Sequence, residues 1–189
     1  MTILLASASP RRRELLEAAG LACEVDPVDV DETRVPGETP AAYVARVARL
    51  KAAAGAARHP RRVVVAADTA VIVGDEVLGK PADDQDATRM LRLLSGRTHD
   101  VLTAVAVASA GRMVVDVETT TVWVDALSRG DIAWYVASGE PQDKAGAYAI
   151  QGLASRFIPR IEGSYTNVVG LPVHKVYEIL KIFDRIIDD

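Results

Sequence analysis

Residues 2–20 read TILLASASPRRRELLEAAG, an apolar run of strand length followed by a helical pattern. Thr2–Ala6 predicts a buried strand. Pro10–Ala19 predicts a helix, because Ser9 suits the N-cap and Gly20 suits the position after the last turn. A strand that leads through a short loop of small residues into a helix favours the α/β class.

The same alternation of strand and helix patterns continues through the rest of the chain. Helical patterns begin at Thr39-Pro40, cover Asp83–Ser95, begin again at the capping-box pair Ser128 and Asp131, and end with Val173–Ile187. Strand patterns cover Val63–Ala67, the hairpin arms Val71–Val73 and Val77–Leu78, and the two longer runs Val101–Ser109 and Met113–Asp125. The unbroken apolar run Val63–Ala67 is typical of an interior strand that is covered on both faces.

The composition is that of an ordinary globular protein, because 49% of the 189 residues are apolar and 25% are charged. The 26 acidic residues outnumber the 22 basic ones, and a formal charge of −4 argues against a general nucleic-acid binder. The single cysteine, Cys23, excludes an internal disulfide and a zinc site of several thiolates. No apolar stretch reaches the roughly 18–20 residues that cross a bilayer, and the run Ile3–Ala6 has its positive charge after it rather than before it. We therefore expect one cytoplasmic domain over residues 1–189, with neither a membrane nor a nucleic acid as partner.

The arginines Arg11–Arg13 stand in the first turn of the first predicted helix, where the helix dipole disfavours cations by roughly 0.3–1 kcal/mol each. Arg12 also lies on the helix face of Leu15-Leu16, so it is directed towards the core and requires an anion. The preceding loop offers backbone N–H groups and the hydroxyl of Ser7, which together with the helix N-terminus predict an anion site. The alternative is a solvated arginine cluster with Ser9 as an ordinary cap.

Lys51 lies on the apolar stripe of the second predicted helix, whose buried face is expected to carry Tyr43, Val44, Val47 and Leu50. A lysine is rare on such a stripe unless it is paired or points into a cleft. The alternative is that its alkyl stem follows the apolar surface while the ammonium group reaches water. The residues alone allow both interpretations.

Asp68-Thr69 directly follows the buried run Val63–Ala67. Ligands of open α/β sheets bind beyond the carboxyl ends of strands, so a carboxylate and a hydroxyl at this point are well placed for chemistry. The alternative is that Asp68 caps a turn, as aspartates after strands commonly do. Lys80 adds a cation in the stiff turn Gly79-Lys80-Pro81, where a lysine is otherwise simply exposed.

Two further segments carry polar groups that suit ligand binding. Asp31-Glu32 supplies carboxylates for a hard cation, although a single carboxylate is more often solvated. Asp143–Gly152 is too rich in glycine for a regular helix and too apolar for an idle surface loop. Its Gln151 has a neutral donor and acceptor of the kind that reads the edge of a base.

Cations and carboxylates around a helix-terminus anion site predict the handling of a phosphate ester or phosphoanhydride with a divalent cation. The chain has no P-loop, no dinucleotide-binding fingerprint, no nucleophile elbow and no CxxC pair. Its three histidines lack metal-ligand spacing. The residues by themselves do not name the substrate.

A series of motifs resembles the Maf family, in the same order, from about residue 3 to residue 180. They are Leu5-Ala6-Ser7-Ala8-Ser9-Pro10-Arg11-Arg12, Asp31-Glu32-Thr33-Arg34, Ala67-Asp68-Thr69, Gly79-Lys80-Pro81, Ser95-Gly96-Arg97-Thr98-His99, Asp143-Lys144-Ala145-Gly146, Ile150-Gln151-Gly152, and Gly163-Ser164-Tyr165 followed by Val168-Val169-Gly170-Leu171-Pro172. Each string is weak evidence alone, but their order along nearly the whole chain makes the resemblance specific.

The resemblance implies a house-cleaning nucleoside triphosphate pyrophosphatase, which hydrolyses the α–β phosphoanhydride and releases a monophosphate and pyrophosphate. It implies an α/β fold related to the inosine triphosphatases, with a mixed, strongly twisted central sheet flanked by helices and two lobes around a cleft. The segment Ile150-Gln151-Gly152 looks like the branch that acts on dTTP and UTP, because the sister branch acting on 7-methyl-GTP has a glutamate at the position of Gln151. A homodimer is a further expectation from the family.

The resemblance also implies roles for single residues. Asp68 corresponds to the proton acceptor of the family. Arg11, Thr69 and Gln151 correspond to residues that are associated with substrate choice. Ala149 stands where glycine is usual, and this departure touches none of the assigned roles.

The residue patterns and the resemblance together predict one arrangement. Triphosphate oxygens are expected against the helix terminus at Ser7 and Arg12, with Lys51 and Lys80 neutralising charge on the leaving pyrophosphate. Mg²⁺ or Mn²⁺ is expected on Asp68 and Glu32. Two alternatives stay open: a nucleotide-binding regulator of division or septum formation without turnover, and the same chemistry on 7-methyl-GTP or a modified pyrimidine nucleotide.

Overall fold

The computed structural model describes residues 2–187, with side chains as far as residue 183. The helices are α1 (Pro10–Ala18), α2 (Pro40–Arg58), α3 (Asp84–Leu94), α4 (Arg129–Ala137), α5 (Tyr165–Val169) and α6 (Val173–Ile187). The strands are β1 (Ile3–Leu5), β2 (Cys23–Val25), β3 (Val64–Val73), β4 (Glu76–Leu78), β5 (Thr98–Ser109), β6 (Arg112–Trp123) and β7 (Arg160–Glu162). Within the described part, every helix is too short or too polar to cross a membrane.

All seven strands belong to one mixed sheet with the order β2-β1-β3-β5-β6-β7, and β4 is paired with β3. β1 is parallel to β2 and to β3, so that Leu5 lies opposite both Val25 and Val65. The pairs β3–β4 and β6–β7 are antiparallel. Parallel neighbours require a crossover connection, and α1 provides it between β1 and β2. The predicted α/β class and the mixed sheet with flanking helices are confirmed.

The chain divides into two compact units, each with an apolar core of its own. Among the described residues, unit 1 comprises 2–69, 103–118 and 170–187, and its core contains Leu5, Leu16 and Val65. Unit 2 comprises residues 70–102 and 119–169, and its core contains Leu94 and Tyr135. The strands β3, β5 and β6 each contribute residues to both units.

The predicted helix starts are confirmed at their caps. Thr39 accepts a hydrogen bond from the N–H of Ala42 at 3.2 Å, and Ser128 and Asp131 form the reciprocal capping box. Ser9 occupies the N-cap of α1 with an extended backbone, but its side chain makes no capping bond. The first turn of α1 is therefore not capped by the hydroxyl of Ser9.

One side chain that the helical pattern assigned to a buried face is exposed. In α2, Val44 and Val47 are fully buried, whereas Leu50 is 40% exposed. At about 100° per residue, Leu50 lies roughly 120° around the helix from Val44, so it is outside the buried stripe.

β3 is one continuous strand of ten residues, although the sequence predicted two strands separated at Asp68-Thr69. Both the prediction that Asp68 lies beyond the end of a strand and the alternative that it caps a turn were therefore wrong. A polar pair does not interrupt a strand when tertiary partners receive the side chains, since strand propensity depends strongly on context.

Gly55 lies where α2 packs closely against the sheet. A Cβ at this position would lie 2.8 Å from Cγ1 of Val64 and 3.2 Å from Cβ of Ala6. We predict that Gly55→Ala lowers the free energy of unfolding by about 1–3 kcal/mol, because overpacking outweighs the better helix propensity of alanine. Urea unfolding measures the change.

The matched control is Ala53→Gly on the exposed side of the same helix. It changes helix propensity alone and should lower the free energy of unfolding by about 1 kcal/mol. If Gly55→Ala instead raises the stability, the close packing of α2 on Val64 does not limit the residue at this position.

Candidate active site

The guanidinium of Arg12, at the start of α1, makes four hydrogen bonds. Its Nε donates to the carbonyl of Gly170 at 2.8 Å, and Nη1 donates to the carbonyl of Ala67 at 2.8 Å and to Oγ of Ser7 at 3.0 Å. Its Nη2 donates to Oγ1 of Thr69 at 3.1 Å. Four of the five N–H donors of an arginine are used in this way.

Arg12 therefore connects three segments of unit 1: the loop before α1, the strand β3 and the segment before α6. Its hydrogen-bond partners are neutral oxygens rather than the anion that the sequence argument required. Burial lowers the pKa of Arg12, while the negative charge of Asp68 opposes that effect. The alternative of a solvated cluster is wrong for Arg12, although Arg13 is exposed and pairs with Glu17 at 2.7 Å.

Lys51 reaches from α2 to two carboxylates. Its Nζ lies 2.9 Å from Oδ1 of Asp68 in β3 and 2.8 Å from Oε1 of Glu32 in the loop before α2. Lys51 is 8% exposed, so its ammonium group does not reach water along the helix rim. The interpretation that the lysine is paired is confirmed.

Asp68 is a buried carboxylate in the middle of β3, with 6% of its surface exposed. Burial raises its pKa above the ordinary aspartate value, and Glu32 adds to the rise. Lys51 and Arg12 oppose that shift but do not cancel it. A carboxylate with a raised pKa is a stronger base than an exposed aspartate, so Asp68 is suited to accept a proton.

Asp68 and Glu32 also fit the donor set of a hard divalent cation. Both direct a carboxylate oxygen to the same point, the Nζ of Lys51. Among the side chains that the structure describes, up to residue 183, no group of three or more acidic, histidine or cysteine residues is able to hold a metal. Mg²⁺ is usually held by one or two carboxylates and completed by water and substrate phosphates, so two carboxylates suffice.

Thr69 is joined to two groups that the sequence analysis did not single out. Its hydroxyl lies 2.9 Å from Oγ1 of Thr103 in β5 and 3.4 Å from the carbonyl oxygen of Gly170. Thr103 is fully buried. A single threonine inside the apolar strand pattern Val101–Ser109 was the only signal in the sequence, and the carbonyl of Gly170 had none.

The structure thus brings six of the predicted site residues together in unit 1: Ser7, Arg12, Glu32, Lys51, Asp68 and Thr69. Arg11 is half-buried in the same helix turn, and its charge contributes to the lowered pKa of Arg12. Lys80 and Gln151 are exposed residues of unit 2.

The segment Asp143–Gly152 in unit 2 is irregular, as predicted. It contains only the short 3₁₀ turn Ala145–Ala147, and the backbone of Asp143 and of Gly146 has positive φ. A Cβ on Gly146 would lie 3.0 Å from the side chain of Val71, so this turn packs closely against β3. Residues 146–150, which come directly before Gln151, are buried, whereas Gln151 itself is exposed.

Fold and site together define an α/β protein that carries a buried aspartate–lysine pair with a second carboxylate, beside a helix N-terminus braced by arginine. Comparison with known proteins identifies the family. The model of the family described as Maf-like protein matches residues 2–183, and the chain belongs to this family.

Two relatives and one solved structure complete the comparison. A dTTP/UTP pyrophosphatase of Koribacter versatilis is 50% identical over 181 residues, which is 96% of this chain and 94% of the relative. A dTTP/UTP pyrophosphatase of Anaeromyxobacter dehalogenans is 54% identical over 183 residues, with 95% of this chain and 92% of the relative covered. The Ham1 protein of Staphylococcus aureus is similar in fold alone, with a TM-score of 0.50, 18% identity, and coverage of 78% of this chain and 85% of that chain.

We predict that Arg12→Lys lowers the free energy of unfolding by about 1–3 kcal/mol, because an ammonium group cannot serve all four acceptors and leaves buried oxygens without a donor. Thermal unfolding of the variant measures the loss. Arg13→Lys is the matched control, since Arg13 makes an exposed ion pair and its replacement should change the stability by less than about 0.5 kcal/mol. Equal effects of the two substitutions would contradict the assignment of Arg12 as the residue that ties these segments.

Proposed function

We propose that the chain is a nucleoside triphosphate pyrophosphatase that hydrolyses dTTP and UTP to the monophosphate and pyrophosphate. The observation that carries the proposal is the buried carboxylate of Asp68, whose pKa is raised and which is paired with Lys51. Support also comes from the relatives that bear this name and are at least 50% identical over nearly the whole chain.

In the proposed reaction, Asp68 is the proton acceptor for the attacking water. The water oxygen bonds to phosphorus, the α–β anhydride bond breaks, and pyrophosphate leaves with the electron pair of that bond. The proton released by the water passes to the carboxylate of Asp68. The burial that raises the pKa of Asp68 makes the carboxylate a stronger base and so favours this transfer.

Cationic groups would stabilise the charge of the triphosphate and of the leaving pyrophosphate. We assign this role to Lys51, Lys80 and Arg11. The loop N–H groups and Ser7 at the start of α1 would bind phosphate oxygens, and Arg12 would keep this loop in place while its remaining N–H serves the same anion. Thr69, fixed by Arg12, would contact the substrate beside Asp68.

Asp68 and Glu32 would hold a divalent cation, Mg²⁺ or Mn²⁺. When bound, the cation neutralises phosphate charge and orients the attacking water. Both acids contact Lys51, so this lysine keeps the two carboxylates together before the cation and the substrate arrive. It thereby lowers the repulsion between two like charges.

Gln151 would select the base. Its side-chain amide offers one donor and one acceptor, which match the O4 and N3–H of thymine and uracil. With the amide held in this one orientation, cytosine presents the reversed pattern and leaves both amide groups without a partner, which a hydrogen-bonding site rejects strongly. An exposed position leaves this amide accessible to a ligand.

The two alternatives receive less support. A nucleotide-binding regulator without turnover has no need for a buried carboxylate with a raised pKa, which Asp68 has. Activity on 7-methyl-GTP is disfavoured by the family resemblance, which implies a glutamate for that branch at the position where this chain has Gln151. The homodimer and the cytoplasmic location stay predictions.

We predict that Asp68→Asn lowers the rate of pyrophosphate release from dTTP and UTP about 10²–10⁴-fold, because the amide cannot accept the proton. The measurement is pyrophosphate release from a panel of nucleoside triphosphates with Mg²⁺ or Mn²⁺. Asp75→Asn, an exposed aspartate in the β3–β4 turn, is the control and should keep the wild-type rate. Tight nucleotide binding by the wild type with no turnover of any triphosphate would favour the regulator instead.

We also predict that Gln151→Glu shifts the base preference away from dTTP and UTP, because a carboxylate cannot donate to O4 of the pyrimidine. The ratio of kcat/KM for dTTP to that for the purine triphosphates should fall at least about tenfold. Gln85→Glu, at an exposed position of α3, is the matched control. An unchanged ratio in Gln151→Glu would remove Gln151 from the base-binding site.

A further inference from the structure

The carboxylate of Glu140, which lies just beyond the end of α4, binds the backbone that follows Gln151 in the chain. Its Oε2 accepts a hydrogen bond from the N–H of Leu153 at 2.9 Å, and its Oε1 accepts one from the N–H of Ala154 at 3.3 Å. These amides open the short 3₁₀ helix Leu153–Phe157, whose first N–H groups have no partner within the helix. Glu140 therefore caps this turn from a separate segment of unit 2.

The carboxylate of Glu140 occupies the space that a side chain at residue 152 would need. A Cβ at residue 152 would lie 2.2 Å from Oε2 of Glu140 and 2.6 Å from its Cδ. The backbone of Gly152 has negative φ, so the glycine is required by space rather than by conformation. Because the carboxylate is the end of a flexible side chain, a methyl group here would displace Glu140 and break its hydrogen bonds without rebuilding the fold.

Tyr135 extends this hydrogen-bond network to the backbone that precedes Gln151 in the chain. Its hydroxyl donates to Oε1 of Glu140 at 2.8 Å and accepts from the N–H of Ala149 at 3.1 Å. Tyr135 is fully buried, and burial raises the pKa of its phenol, so the hydroxyl keeps its proton. We call these two side chains the Tyr135–Glu140 brace.

The brace holds the backbone two residues before and two residues after Gln151, yet it leaves the glutamine side chain exposed. A recognition loop of this kind discriminates only when its backbone is fixed, because hydrogen-bond readout of a base tolerates little displacement.

We propose that Tyr135 and Glu140 are positioning residues for base selection, which fix the loop 149–153 so that Gln151 meets the pyrimidine edge. The inference rests on the proposed function, since it concerns the residue assigned there to base recognition. The brace touches no substrate. Its effect is therefore on discrimination between bases and not on the hydrolytic step.

The test compares kcat and KM for dTTP and dCTP in the wild type, Tyr135→Phe, Glu140→Gln and Gly152→Ala. The ratio of kcat/KM for dTTP to that for dCTP should fall about tenfold or more in each variant, mainly through KM for dTTP. The kcat for dTTP should stay within about threefold of wild type, because Asp68 and Lys51 are unchanged. Tyr177→Phe and Glu162→Gln, at exposed positions, are the matched controls and should keep the wild-type ratio.

The outcomes separate the two proposals. A wild type that releases pyrophosphate from dTTP, with variants whose base ratio is unchanged or whose kcat falls equally for both substrates, overturns the brace alone. A wild type that hydrolyses no triphosphate overturns the proposed function. If Tyr135→Phe fails to fold, Gly152→Ala tests the brace in its place. A methyl group at residue 152 displaces the carboxylate of Glu140 while the buried phenol of Tyr135 is kept. A change in ratio that Gly152→Ala shares with Glu140→Gln supports the brace.

Discussion

The ion pair between Asp68 and Lys51 is the constraint on which the rest of unit 1 depends. A carboxylate in the middle of a buried strand is tolerated only with a partner, and removing one partner of such a pair costs about 3–5 kcal/mol. The pair fixes α2 against β3 and brings Glu32 of the preceding loop to the same nitrogen. It also keeps the pKa of Asp68 from rising further, because the positive charge of Lys51 favours the ionised carboxylate.

Side chains of opposite charge hold the irregular segments of the two units. In unit 1 a partly buried cation, Arg12, donates to the carbonyl oxygens of Ala67 and Gly170. In unit 2 an anion, Glu140, gathers the amides of Leu153 and Ala154. Both side chains satisfy hydrogen-bonding groups of the backbone from a separate segment of the chain. Loops placed by such contacts can carry binding groups on a rigid scaffold.

Much of the architecture was predictable, because its signals are local. The caps Thr39 and Ser128 and the alternation of strand and helix patterns led to the correct class and to most element boundaries. The errors arose where tertiary partners override a local pattern. Asp68 was interpreted as the end of a strand because it is polar, and Leu50 was placed on a buried face that the sheet does not cover.

Residue order alone was enough to establish the α/β class, the helix starts, the family resemblance and the identity of nearly every group in the candidate site. It could not establish which groups pair. Lys51 meets Asp68 across 17 residues, and Arg12 meets Ala67 across 55 and Gly170 across 158. Periodicity and capping act over a single turn or a few strand residues, whereas these contacts exist only after the chain has folded. For that reason Arg12 was expected to need an external anion, and the fold supplied neutral oxygens instead.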